Sequence, residues 1–368
     1  MLDSSFFLSD VFLMSVKILV VLGVIFTIVP LMLVVERRGS AFMQNRMGPN
    51  RIGPFGLIQP IADALKFLLK EDRIPGHVNK FYYVLAPIIA TVPALMTFAV
   101  VPFAGPIFVD GKEIIFKIAN IDVGLIYIFA IASLGIYGII LGGWASNSKY
   151  ALLGSLRSAS QMISYELSMG LSVIGLIMLS SSLRLGDIVE MSGQSFHLFG
   201  LEYLSLPKWG IFLQPIGFLV FIVSAFAETN RLPFDLPEGE SEIIAGYHLE
   251  FGSMKFALFM MSEYINMTTA SALIATLYFG GYQLPGLELL VNASGLTGLS
   301  MEWFRVFCQF VVFWFKVGFF LWFFVWVRWT IPRFRYDQLM DLGWKVMLPL
   351  ALINIFLTGL GIAFWEVN

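Results

Sequence analysis

The sequence predicts an all-α polytopic membrane protein, with about eight transmembrane helices plus one amphipathic interfacial helix in the first inner loop, as a single integral membrane domain over 1–368. Three observations carry this. Of 368 residues, 58% are hydrophobic and 13% charged, where a soluble domain carries about 25% charged. Mean hydropathy is +0.81. Long uncharged runs recur through the chain. Such a composition has too little polar surface to cover a water-soluble globule. It also excludes disorder, which needs low hydrophobicity and high net charge. Cys308 is the single cysteine. That excludes a disulfide scaffold and an iron–sulfur cluster held by this chain alone, which needs about four ligands. Net charge is −2, so there is no nucleic-acid footprint.

A bilayer core of about 30 Å needs roughly 20 apolar helical residues. Ile18 to Val35 is uncharged and marks a span near 14–35. Asp3 and Asp10 precede it in place of a basic leader region, so it reads as a retained span and not a signal peptide. Phe81 to Val109 is uncharged, and its prolines place a helix near 82–103. Val123 to Ser148 gives 124–145, and Ser158 to Leu183, with Glu166 alone charged, gives 160–183. Trp209 to Ala227 gives 209–229, and Phe256 to Leu287, interrupted by Glu263, gives 255–281. Val306 to Val327, interrupted by Lys316, gives 305–328, and Val346 to Trp365 gives 345–365. Helices satisfy their backbone groups within the segment, as lipid requires.

Lys and Arg set the orientation. Loops one, three, five and seven hold 15 basic residues and the opposite loops hold 4. The odd-numbered loops are therefore expected inside, with both termini on the outer side.

The first inner loop carries Glu36, Arg37, Arg38, Arg46 and Arg51, broken by Gly48, Pro49, Gly53 and Pro54. A helical pattern follows over 57–70. Gln59, Asp63, Lys66 and Lys70 share one face, and leucines and isoleucines cover the other. This amphipathic helix either anchors at the membrane surface or turns its polar face to an amphipathic ligand. Asp63 and Lys66 are also spaced as a helix-stabilising pair.

The fifth loop is the most unusual stretch. Between Ala227 and Glu250 it holds Glu228, Asp235, Glu238, Glu240, Glu242 and Glu250 against Arg231. Two Leu-Pro steps break any helix through 232–237. Carboxylates crowded in a low dielectric cannot all ionise, so such a loop can hold and pass protons. Glu166, Glu263 and Lys316 lie within spans, where a charge costs on the order of 2.5–3.5 kcal/mol and is a functional candidate or an internal salt bridge. Arg328, Arg333 and Arg335 stand among aromatics at the inner edge, where they bind lipid headgroups, dock a partner or simply set topology. His77, His197 and His248 lie in separate loops, and no phosphate-binding glycine motif occurs. No metal site and no catalytic nucleophile is assigned.

Four blocks resemble a known family: Gln44 to Pro75, Ala151 to Glu166, Ala227 to Asn266 and Pro332 to Pro349. They are similar to the quinone-binding membrane subunit of proton-pumping NADH:quinone oxidoreductase, respiratory complex I. The resemblance implies a chamber, formed with partner subunits, that admits quinone from the bilayer. Arg37, Arg46, Asp63 and Lys66 would surround its mouth, and Arg231 and Asp235 would lie in its inner wall. Glu228, Glu238, Glu240 and Glu242, with Glu166 deeper and Glu250 and Glu263 alongside, would form an acidic funnel coupling quinone reduction to proton translocation. Quinone is then the substrate. This chain would bind no cofactor alone, and iron–sulfur clusters and FMN would sit on partner subunits. The implied location is a bacterial inner membrane, with lipid as a further partner. Two other readings stay open here: the membrane subunit of an energy-converting hydrogenase, and a free-standing proton-coupled transporter.

Overall fold

The computed structural model describes residues 10–109, 112–197, 205–236, 246–293 and 295–367. Glu238, Glu240 and Glu242 fall outside these residues. Helix α1 runs Asp10–Met43, well beyond its uncharged run at both ends. A tight turn at Pro54–Gly56 leads to α2, Gln59–Leu69. Gly56 has φ +71, and a Cβ there would lie 2.2 Å from the Pro49 carbonyl oxygen. Only glycine lets this loop close on itself. The amphipathic helix thus starts two residues later than its pattern, because Leu57 and Ile58 complete the turn.

Helix α3, Lys80–Met96, continues as a tighter turn to Val100. The hairpin β1 Ile107–Val109 and β2 Lys112–Ile114 follows. Helix α4 is Gly124–Ala145 and α5 is Lys149–Ser180. Helix α5 begins far before the expected 160, because nothing between Lys149 and Arg157 breaks a helix. Arg157 lies over the Tyr336 ring at 5.9 Å. Helix α6, Leu185–Ser192, precedes the hairpin β3 Ser195–His197 and β4 Ser205–Pro207.

The stretch expected as one span near 209–229 is two pieces. Helix α7, Gly210–Leu213, and α8, Pro215–Glu228, meet at Gln214, whose backbone leaves the helical region before proline. Helix α9 is Ser253–Tyr278, α10 is Leu287–Ala293 and α11 is Leu299–Thr330. Helix α12, Tyr336–Asp341, passes through a wide π turn at Leu342–Met347 into α13, Leu348–Val367.

Helices occupy all eight predicted stretches. Among the described residues, six are long and apolar enough to cross a membrane by length and composition: α1, α3 with its extension, α4, α5, α11 and the α12–α13 unit. Helix α8 is apolar but has 14 residues. Helix α9 has 26 but carries Lys255, Glu263, Asn266 and several hydroxyls. It is buried from Met267 to Tyr278, in the centre of the bundle, and packs against α3, α11, α8 and α1. Small residues let helices approach: a Cβ on Gly138 of α4 would lie 2.6 Å from the Ala90 backbone nitrogen of α3. Close contact of this kind replaces the hydrophobic effect as the cohesive force between helices in lipid.

Candidate functional site: a cavity closed by a buried ion-pair cluster

The last turns of α1 place Glu36 beside three groups from distant parts of the chain. Tyr264 of α9 donates its hydroxyl to Glu36 Oε2 at 2.6 Å. Arg231 Nη1 donates to Glu36 Oε1 at 3.2 Å. Arg328, near the end of α11, makes a close ion pair with the same carboxylate. Arg231 also pairs through Nε with Glu263 Oε1 at 2.6 Å, and its guanidinium covers the Tyr264 ring at 4.5 Å. Two carboxylates and two guanidiniums balance. A charge so buried is tolerated only when its partners satisfy it.

The loop after α8 is held in place by polar side chains. Gln161 of α5 donates to the carbonyls of Ala227 and Phe234, both at 2.8 Å. Asn230 donates to Ser158 at 3.1 Å. Leu232–Pro233 is cis. Asp235 accepts from Arg333 at 3.1 Å, and Phe334 donates its amide to the Pro233 carbonyl at 3.2 Å. Two of the three arginines expected at the inner surface, Arg328 and Arg333, therefore turn inward. Arg335 alone stays exposed, paired with Asp337.

A cavity of about 790 Å³ opens on this cluster between α1, α2, α9 and the end of α11. Phe26, Val29, Leu33, Phe67, Met254 and Met261 give it apolar lining. Glu36, Arg37, Asp63, Lys66 and Arg328 bring charge to it, and Tyr264 a hydroxyl. Arg37 pairs with Asp63 at 2.6 Å, and Gln59 donates to Asp63 at 3.1 Å. Arg46 lies in an adjoining cleft of about 460 Å³ that shares Arg37 and Ser40 with the main cavity. Arg231 and Asp235 do not line the main cavity. They line a polar space just large enough for water, of about 30 Å³, behind Tyr264 and Arg328.

The other carboxylates divide. Glu263 joins the cluster. Glu166 of α5 accepts from Ser133 of α4 and lies within electrostatic reach of Glu228. Glu228 faces a second water-sized space with Thr97, Asn266 and Thr269. Glu250 lies 3.7 Å from His77 and next to Tyr83, whose hydroxyl donates to the Glu250 carbonyl at 2.6 Å. Lys316 has a structural partner set: its ammonium donates to the carbonyls of Phe279, Gly281 and Gln283 at 2.6–2.9 Å and caps the end of α9. A cation there also meets the negative end of the helix dipole. Among the described residues, no group of three or more His, Cys, Asp or Glu could hold a metal ion.

Sequence reasoning missed Glu36, Tyr264 and Arg328 as site residues. Glu36 had a signal, as the single carboxylate against Arg37 and Arg38 at the end of a span. Tyr264 had none beyond adjacency to Glu263.

Fold and site define a multi-pass helical membrane protein with a partly charged cavity at one end of its bundle. Residues 16–359 match the family described as NADH dehydrogenase. The chain is 47% identical over 325 residues to the first NADH-quinone oxidoreductase H subunit of Cytophaga hutchinsonii, covering 88% of this chain and 89% of that one. It is 48% identical to the H subunit of the same enzyme from Salinibacter ruber, covering 91% and 92%. For the Bdellovibrio bacteriovorus H subunit the identity is 44%, covering 95% and 96%. The chain belongs to this family, that of the membrane-embedded H subunit of NADH-quinone oxidoreductase. The hydrogenase-subunit and free-standing transporter readings are not favoured.

Proposed function

We propose that the cavity between α1, α2 and α9 is the quinone chamber of this subunit, and that the carboxylates behind it couple quinone reduction to proton translocation. One observation carries the reading. A single cavity of about 790 Å³ is lined mostly by apolar side chains and also by the charges of Glu36, Arg37, Asp63 and Arg328. That suits a molecule with an apolar tail and a polar head. The chain's own part is to hold and orient. Arg37, Asp63 and Lys66 would present charge to the headgroup, with Arg46 at the mouth. Arg231 and Asp235 would fix the wall from behind.

Charge and proton uptake at the headgroup would perturb Glu36, which shares Arg231 with Glu263. Protonation of such interacting groups is a property of the set and not of one member. The route onward would run by Glu228 and Glu166, with Glu238, Glu240, Glu242 and Glu250 as further members. Electrons would come from iron–sulfur clusters and FMN on partner subunits of a bacterial inner-membrane complex. All eight helical stretches would cross the bilayer, with both termini outside. The outward apolar side chains of α2, among them Leu65 and Leu69, would rest on the inner leaflet.

Filling the chamber with Ala257→Trp in the assembled complex tests this. Reduction of a long-tail quinone should weaken at least about tenfold, the loss of about 1.4 kcal/mol of binding. Electron delivery from NADH to a water-soluble acceptor should be unchanged. Equal activity with the long-tail quinone would overturn the chamber.

A further inference from the structure

The end of the bundle farthest from the cavity carries a second feature. Helix α10 is a single short piece in the connection between α9 and α11. Its inner face is ordinary: Leu287 and Val291, one turn apart, are buried. Its outer face is not. Leu289 is 74% exposed and Leu290 61% exposed. A surface helix in water turns polar side chains outward, and beside the exposed Glu288 and Asn292 this one also turns out two leucines. Its one charge, Glu288, is taken up by Arg305 at 3.0 Å, which also pairs with Glu302 at 2.9 Å.

Position supplies the occupant. Trp303 is exposed at the start of the second turn of α11, and Phe307, Val311 and Phe315 continue it at four-residue intervals, all exposed. That stripe is the lipid-facing side of a span. From Trp303 to Arg328, beside the cavity, are 25 residues, or about 37 Å of helix. That distance exceeds a hydrocarbon core of about 30 Å and reaches both interfacial regions. Tryptophan is enriched at this level. The Glu288–Arg305 pair holds α10 beside this level of α11, two residues from Trp303.

We infer that α10 is an interfacial helix that lays Leu289 and Leu290 into the leaflet opposite the one bordering the cavity. The partner is a phospholipid surface at the boundary between headgroups and acyl chains. Leu287 and Val291 fasten the helix to the bundle, and Arg305 offsets the charge of Glu288. The inference rests on the chain spanning the membrane and is independent of the chamber.

The test uses the intact complex in vesicles. Leu290→Cys, in a Cys308→Ser background, is labelled with a small fluorophore, and the signal of the same complex without the introduced cysteine is subtracted. Phosphatidylcholine brominated high on its chains should quench the label at least about twofold more than aqueous iodide, because an interfacial helix sits only about 5–10 Å into the boundary. Bromine near the chain ends should quench less. Dominant iodide quenching would show a water-facing helix and overturn the inference. So would quenching by neither agent, which would mean that protein covers it. If Leu290→Cys fails to assemble, Leu289→Cys gives the same readout. Loss of quinone reduction by Ala257→Trp has no bearing on this result.

Discussion

Glu36 and Arg231 stand 195 positions apart and meet at 3.2 Å, buried on both sides. One lies in the last turns of α1, seven residues before its end, and the other three residues after α8. Their pair, completed by Glu263, Tyr264 and Arg328, joins the cavity wall to the acidic loop. Breaking a buried pair by removing one partner costs about 3–5 kcal/mol, because an uncompensated charge remains. Glu36→Ala should therefore lower the unfolding midpoint of the complex and impair assembly. Glu36→Gln keeps the shape but leaves both Arg231 and Arg328 short of charge, and should do so less severely. A thermal-shift series settles the order. Indifference to Glu36→Ala would contradict the cluster.

Lys316 should behave as a structural residue. Lys316→Met removes three hydrogen bonds from the end of α9 and leaves buried carbonyls unsatisfied, at about 1–3 kcal/mol each before water compensates. Stability should fall while the affinity for quinone in surviving complex stays unchanged. A selective loss of proton pumping, with stability intact, would reverse this assignment.

The Lys255–Asp72 pair should be asymmetric. Lys255 is buried against Tyr83, its ammonium 2.5 Å from both Asp72 oxygens, while Asp72 is half exposed. Asp72→Asn strands a buried cation, whereas Lys255→Met leaves only a carboxylate that water can solvate. The first variant should be the less stable by chemical denaturation of the assembled complex. An order with Lys255→Met worse would refute the account.

His248 predicts a pH dependence. Burial beside Tyr247 and Phe256 pushes its imidazole down to about 4. The unfolded residue titrates near 6.5. Between these values the unfolded chain binds a proton that the folded chain refuses. Stability is therefore full above about pH 6.5 and falls as pH drops toward about 4. At about 1.36 kcal/mol per unit, the fall is on the order of 3 kcal/mol. His248→Asn should flatten the slope in that window relative to the parent. An unchanged slope would show that the imidazole is not the titrating group.

Gly138→Val should separate α3 from α4. The Ala90 backbone occupies the space its Cβ would need, and overpacking costs about 1–3 kcal/mol. Gly170→Val is the control, since nothing lies within 4 Å of a Cβ there. Equal thermal stability of the two variants would show that the close approach is not limiting.

Much of this was legible from the order of residues. Each helix in lipid must satisfy its own backbone and present apolar side chains, so hydropathy alone located α1, α4, α11 and α13. The spacing of Gln59, Asp63 and Lys66 likewise located α2 but left open whether its polar face meets a ligand; Asp63 and Lys66 line the cavity. Charge failed as a ruler of length: Arg157 sits within α5, and Glu36 and Arg37 within α1. The break at Gln214 was in view, since Pro215 follows it, but the uncharged run concealed it.

What the order of residues could not settle is which charges meet. Glu263 and Lys316 look alike as single charges within apolar runs, yet one closes an ion-pair cluster at the cavity and the other caps a helix end. Glu250, grouped by sequence with the acidic loop, meets His77 from the first inner loop. Local pattern reports the solvent around each segment, because lipid acts on residues one turn at a time. Ion pairs between residues some two hundred positions apart depend on how the helices pack. Only packing decides whether a buried carboxylate finds an arginine, a tyrosine or another carboxylate.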